Sequence, residues 1–264
     1  MAAHVPRQAY WVLRQVGAVL LGVFVYFRVR GLTEAKPAIA VDHAKDILAF
    51  EHRFGLDQEH RAQSLTQGNW DALVDAANWV YIWGHWPVIT VVLVWLALRH
   101  RVLFLRLRNA MFVSGAIGLV VFATYPVAPP RLTSLGFVDT VTERSEAYRY
   151  LQPPGFVNQY AAMPSLHVGW DLIVGIAVAT AAGSVLLRTI GCLMPVLMGA
   201  AVVLTANHYV IDGIAGAALS LFGLAVAVWY ERSGPRRAVE HLIHLPHPRD
   251  AAHDDADVPD RVAT

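Results

Sequence analysis

The 264-residue chain is 56% hydrophobic and only 16% charged, with a mean hydropathy of +0.42, which excludes an ordinary soluble globule. A net charge of +1, with no basic patch interleaved with aromatics, excludes a nucleic-acid-binding module. The single cysteine, Cys192, excludes an intrachain disulfide and, lying in an apolar run, is expected to be a buried small apolar group.

Several apolar runs approach or exceed the roughly 18 residues that suggest a spanning helix. The first, residues 11–27, carries Arg14 near its start and Arg28 and Arg30 after it; no small-residue cleavage site follows, so it reads as a retained span. Residues 31–77 are mixed and charged. Ile47, Leu48 and Phe54, then Trp70, Leu73, Val74 and Ala77, fall at helical spacing and predict short amphipathic helices on the membrane surface. Glu51 and His52 are expected on a solvated face. The second predicted span, residues 79–98, opens on Trp79, Tyr81, Trp83 and Trp86, an interfacial aromatic cluster. Asn78, Tyr81 and His85 share one helix face, which fits a head-group pocket and an interfacial belt equally.

A short loop with four arginines, residues 99–108, leads to a third predicted span at 110–127, which runs into Ala128-Pro-Pro-Arg131. A polar loop to Tyr160 contains the helix breaker Pro153-Pro154-Gly155. The fourth span is predicted to start at Pro164 as its first helical residue, the fifth covers 186–205 and the sixth 209–230. The tail from Ser233, rich in Pro, Asp and His, is expected to be disordered. No run alternates with period two over several strands, so the fold class is an all-α polytopic membrane bundle of six helices with short interfacial helices. Its expected divisions are residues 1–30 (tail and first span), 31–77 (extracytoplasmic amphipathic segment), 78–232 (membrane core) and 233–264 (cytoplasmic tail).

Six spans put both termini on one side, together with the arginines of the second loop, Arg188, Arg232, Arg236 and Arg237. The positive-inside rule makes that side cytoplasmic. Arg131, Ser165, His167, His208 and Asp212 then fall at the outer face of the plasma membrane.

His208 and Asp212 are four residues apart on one face of a helix start, so the carboxylate can take the proton of one ring nitrogen and leave the other as nucleophile or base. His167 follows Pro164-Ser-Leu at a helix N-terminus, whose free N–H groups and dipole favour a phosphate. Arg131 adds a bidentate clamp. This set suits displacement at phosphorus: one histidine attacks, the other protonates the leaving oxygen, and fixed positive groups hold the developing charge.

Pro164-Ser-Leu-His167 with His208-Tyr-Val-Ile-Asp212, preceded by Ala128-Pro-Pro-Arg131, resembles the type-2 phosphatidic acid phosphatase superfamily. The Leu before His167 and the His208-Tyr209 pair resemble its inositolphosphotransferase branch, which includes the inositol phosphorylceramide synthases. The resemblance spans about residues 78–230 and implies a six-helix membrane enzyme with a phosphohistidine intermediate, no metal and no cofactor. It implies His208 as nucleophile, Asp212 as its orienting partner and His167 as the acid. It also implies that Arg131 and the Pro164-Ser165 region hold the phosphate of a lipid phosphate or phospholipid, with Asn207 beside them. Two cations of the superfamily pattern are missing: the third-motif Ser-Arg is Ala201-Val202 here, and the first-motif Lys is Thr124. Asn207, Tyr209, Arg144 and Arg149 are the candidates to compensate.

One expectation comes from spacing alone. Asp171, four residues after His167 in an apolar span, can face that histidine one turn deeper and keep it protonated, or serve a bond between helices. Gly213, Ala217, Gly216 and Ser220 are expected to let the sixth span pack closely beside the site. The rival readings are a proton-coupled transporter, a two-His-one-carboxylate metalloenzyme and a non-catalytic membrane scaffold. The oligomeric state has no signature in the sequence.

Overall fold

The computed structural model describes residues 7–32, 37–64, 71–144 and 158–233. The helices are α1 (Arg7–Leu32), α2 (Pro37–Phe54), α3 (Glu59–Ser64), α4 (Asp71–Trp83), α5 (Trp86–Arg99), α6 (Arg101–Thr124), α7 (Thr140–Arg144), α8 (Leu166–Ala181), α9 (Val185–Leu204) and α10 (Val210–Ser233), with a 3-10 turn at Pro130–Leu132. Among the described residues there is no strand, only one parallel bridge between Val127 and Ala161. The chain divides into two units, residues 1–227 and 228–264; of the second, only the last turns of α10 are described. The expected disordered tail beyond Ser233, the Pro153-Pro154-Gly155 breaker and Arg149 lie outside the described residues.

The all-α membrane architecture is as expected. Four helices (α1, α6, α9 and α10) are long and apolar enough to cross a bilayer, or five spans if α4 and α5 together form one. A shorter apolar helix of 16 residues, α8, completes the set. The apolar side chains left outside, such as Leu21, Val91, Val120 and Val196, are the surface that lipid covers. Cys192 also lies exposed on α9 instead of buried.

Three boundaries differ from the sequence reading, each for a local reason. The second span is not one helix: α4 and α5 meet at a 45° bend. Pro87 sits in the first turn of α5 and has no N–H with which to continue the ladder from Trp83, so the chain turns at Gly84-His85. The arginine-rich loop shrinks to His100, because α6 begins at Arg101. Arg108 then lies in the helix, bonded to Asn109 at 2.7 Å and to Gln15 of α1. Finally, α8 starts at Leu166 and not at Pro164: Ser165 takes the N-cap place, its hydroxyl accepting the Val168 N–H.

Glycines set how closely the helices approach. A Cβ on Gly216 of α10 would collide with the backbone carbonyl of Ser165, and one on Gly169 of α8 would collide with the Gly216 carbonyl and the Ser220 hydroxyl. Gly216 and Ser220 therefore act as expected, whereas Gly213 meets only ordinary contacts with Val168. Gly175 of α8 and Gly191 of α9 make a second such crossing. The core around Tyr26, Ile89, Leu107, Phe122, Trp170 and Ile173 joins α1, α5, α6 and α8. Helices α2 and α3 cover the end of the bundle, with Ala40, Ala44 and Ile47 packed on Val127, Ala162 and Tyr209.

A methyl group at Gly169 has only backbone and a packed hydroxyl to displace. Gly169→Ala is expected to destabilise by about 1–3 kcal/mol, whereas Gly199→Ala, which meets nothing within 4 Å, is expected to be neutral or stabilising. Thermal unfolding in one detergent checks the pair.

Candidate active site

Backbone hydrogen bonds join the three sequence motifs. Val127 N–H donates to Tyr160 O at 2.7 Å, Ala162 N–H to Val127 O at 3.2 Å, Arg131 N–H to Ala206 O at 2.9 Å and Ser165 N–H to Asp212 O at 2.9 Å. The Tyr209 hydroxyl adds a bond to Ala128 O at 3.1 Å. Ala206, at φ 53°, sits in the left-handed region where the chain leaves α9, and this turn carries Asn207 and His208 towards the other motifs.

His208 Nδ1 lies 2.7 Å from Ala162 O. A carbonyl can only accept, so Nδ1 carries the proton and Nε2 keeps its lone pair. The expected orienting partner, Asp212, is 3.5 Å from the same nitrogen. Its Oδ2 accepts the Tyr209 N–H at 2.9 Å instead, as a carboxylate one turn into a helix does when it reaches back to the cap. Asp212 thus supplies charge beside the ring, and Ala162 fixes its tautomer.

Glu51 is not on a solvated face. It is fully buried, and its Oε1 accepts the Ile211 N–H at 2.7 Å, while Glu59 Oε1 accepts the Val210 N–H at 2.8 Å. Three carboxylates therefore satisfy three consecutive N–H groups at the start of α10 and set the position of His208. Sequence periodicity could not show this, because the acceptors come from α2 and α3. His52 is exposed, as expected, and pairs with Asp57 at 2.9 Å.

A cavity of about 740 Å³ lies beside these motifs. His167, His208, Arg131 and Asn207 line it; Pro164, Ser165, Asp171 and Asp212 do not. Ser165 is fully buried, with its N–H and hydroxyl already engaged, so α8 reaches the cavity through Leu166 and His167. Arg131 is held by Asn207 Oδ1 at 2.9 Å and by Asp139 Oδ2 at 2.7 Å. The His167 ring packs between Tyr81 and His85, with centroids at 4.8 and 4.4 Å, and lies 5.6 Å from the His208 ring.

Asp171 does not pair with His167: its Oδ1 is 2.8 Å from Nδ1 of His85, at the α4–α5 break, and both residues are buried. The i, i+4 spacing was real, but the bend turns a closer imidazole towards the carboxylate. Tyr81 and His85 line the cavity, whereas Asn78 is tied to Thr140. Arg30 of α1 also lines the cavity, although the sequence reading placed it only as a flank of the first span. Arg144, a candidate to replace the missing cations, pairs with Asp71 at 2.8 Å and is exposed. Tyr209 is buried outside the cavity lining.

Burial pushes the Glu51 carboxyl from 4.5 up to about 8; the Ile211 N–H opposes this and Glu59 adds to it. An acid raised on folding holds a proton that the unfolded chain releases, so its contribution to stability is full below pH 4.5 and lost as pH rises through about 8. Glu51→Gln keeps an acceptor for Ile211 and removes the titration. Wild-type Tm is expected to fall between about pH 5 and about pH 9, and the variant's Tm to fall less.

The family model described as the PAP2 superfamily matches residues 45–226. No curated protein and no solved structure matches the chain. The match covers α2 to α10, with all three motifs and the carboxylates that brace them; the chain belongs to the PAP2 superfamily.

Proposed function

We propose that this protein hydrolyses or transfers the phosphate group of a lipid, through a phosphohistidine on His208, at the outer face of the plasma membrane. The observation that carries this reading is the cavity's composition. Two guanidinium groups (Arg30, Arg131) and three imidazoles (His85, His167, His208) line it, and no carboxylate is among the described residues that do. A phosphate is the complementary ligand. Leu20, Phe24, Phe27 and Phe122 give the lining an apolar portion, beside the neutral polar Asn158, Gln159 and Asn207. A second, almost wholly apolar cavity shares Leu20, Val23, Tyr26, Trp86, Thr90 and Trp170 with the first, which suits a long hydrocarbon chain.

His208 Nε2 attacks phosphorus, the bond to the leaving oxygen breaks, and a cavity imidazole protonates that oxygen. Arg30 and Arg131 stabilise the equatorial oxygens, with Arg30 taking over part of the charge absent at Thr124 and Val202. Water as second acceptor gives a phosphatase; an alcohol, as in the inositolphosphotransferase branch, gives a transferase. The outer placement rests on the arginines Arg99, Arg101 and Arg188, at helix ends away from the motifs. The broken α4–α5 span is a feature a transporter would share. Among the described residues no second broken span accompanies it, which favours the enzyme over the transporter.

Detergent-purified protein is expected to release phosphate from at least one lipid phosphate with EDTA present, or to pass it to an alcohol. His208→Ala should lose at least about 10³-fold in kcat/KM. Arg30→Gln should lose about 10–100-fold, the value of a charge-assisted bond. Full activity in His208→Ala would refute the reading.

A further inference from the structure

The two imidazoles at the helix starts are held in different ways. His208 is fixed by the 2.7 Å bond from Nδ1 to Ala162 O. Among the described residues His167 makes no hydrogen bond and no ion pair, so packing holds its ring. Tyr81 stacks on it with centroids 4.8 Å apart and planes 29° apart, and His85 lies 4.4 Å away at 39°. A histidine side chain turns about two bonds, whereas proton transfer needs its nitrogen within about 2.6–3.2 Å of the accepting oxygen. A ring with no bond of its own reaches that geometry only if its neighbours select the rotamer.

Both neighbours come from the α4–α5 break. Tyr81 and His85 are buried and flank Gly84, whose N–H donates to Val80 O at 2.8 Å. A Cβ on Gly84 would collide with that same oxygen, so the 45° bend that directs the two rings needs a glycine there. A 2.8 Å hydrogen bond joins His85 Nδ1 to Asp171 Oδ1, and it fixes the ring whichever partner carries the proton. Trp86, edge-on at 5.4 Å, and Trp170, parallel at 6.0 Å, pack the same ring. Asp171 lies one turn along α8 from His167. Helix α8 therefore anchors the ring that packs on its own histidine.

We propose that Tyr81 and His85, the latter anchored by Asp171, are positioning residues that hold the His167 ring in line with the leaving oxygen. The proposal rests on the phosphohistidine reading, with His167 in the acid role that the resemblance implies. As the bond from His208 Nε2 to phosphorus forms, the bond to the leaving oxygen breaks and that oxygen takes its proton from the His167 ring. Neither Tyr81 nor His85 exchanges a proton in this step. They keep the ring from turning away, and displacement by about 1 Å costs on the order of 10²-fold in rate.

Leaving-group dependence tests the proposal. Dodecyl phosphate loses a strongly basic alkoxide and needs the proton, whereas p-nitrophenyl phosphate loses a stable phenolate and does not. The ratio of kcat/KM for the two substrates in one preparation is independent of how much of a variant is folded. His167→Gln is expected to lower that ratio by about 10²–10³. Tyr81→Leu and Asp171→Leu should each lower it by about 10–100-fold. Gly84→Ala should lower it too, although every ring is retained. Tyr81→Phe keeps the flat ring and Asp171→Asn keeps a hydrogen-bonding partner, so both should restore most of the ratio. In a His167→Gln background, Tyr81→Leu and Asp171→Leu should change the ratio by less than about twofold, because they act through the ring already lost. Tyr81→Phe losing as much as Tyr81→Leu would assign the hydroxyl to substrate and overturn the proposal. So would an unchanged ratio in His167→Gln or Tyr81→Leu, or a full further loss in the His167→Gln background. Turnover of either substrate by His208→Ala refutes the phosphohistidine reading instead, so the two failures are distinguishable.

Discussion

The carbonyl of Ser165 lies against the Cα of Gly216, and the cavity exists because nothing larger than hydrogen stands between them. That approach brings the start of α8 against the start of α10, so residues 46 apart in sequence, Ala162 and His208, share a 2.7 Å hydrogen bond. The same approach lets Ser165 N–H reach the Asp212 carbonyl at 2.9 Å. Dispersion between helices falls away quickly with distance, and in lipid no hydrophobic force restores it. Small residues at the crossing therefore decide whether two polar helix starts meet at all.

Once they meet, polar groups must be satisfied away from water. The start of α10 is buried, and its first N–H groups are met by Asp212, Glu59 and Glu51. Burial first, and the neighbouring Glu59 and Asp212 carboxylates to a lesser degree, push the Glu51 carboxyl up to about 8, which keeps a proton on it over most of the neutral range. The site is thus built in two layers. Carboxylates sit behind the histidines, where they fix rings and backbone, and cations with imidazoles face the cavity. Under the proposed reading, a phosphate meets only the second layer.

Much of the architecture was legible because lipid makes helices obligatory and long apolar runs conspicuous. Pro164-Ser-Leu-His167 and His208-x-x-x-Asp212 were legible as helix starts, and the fold brings them together. What was not legible depended on tertiary placement. Glu51 looks solvated in its own helix, and only packing against Ile211 reveals its partner. Asp171 has the spacing to reach His167, yet the bend at Gly84-His85 offers it another ring. Pro87 was the visible sign of that bend, masked by the aromatic run around it. Arg30 lies outside the matched family region and becomes relevant only because α1 lines the cavity.

The central claim is that the lone pair on His208 Nε2, set free by the bond from Nδ1 to Ala162, becomes bonded to phosphorus. Rapid acid-free quenching of the purified protein during turnover of a radiolabelled lipid phosphate, followed by mapping of the labelled peptide, tests it directly. The account predicts an acid-labile, base-stable label on the peptide carrying His208. A label on any other residue, or turnover at full rate with no labelled protein at any time, would contradict it.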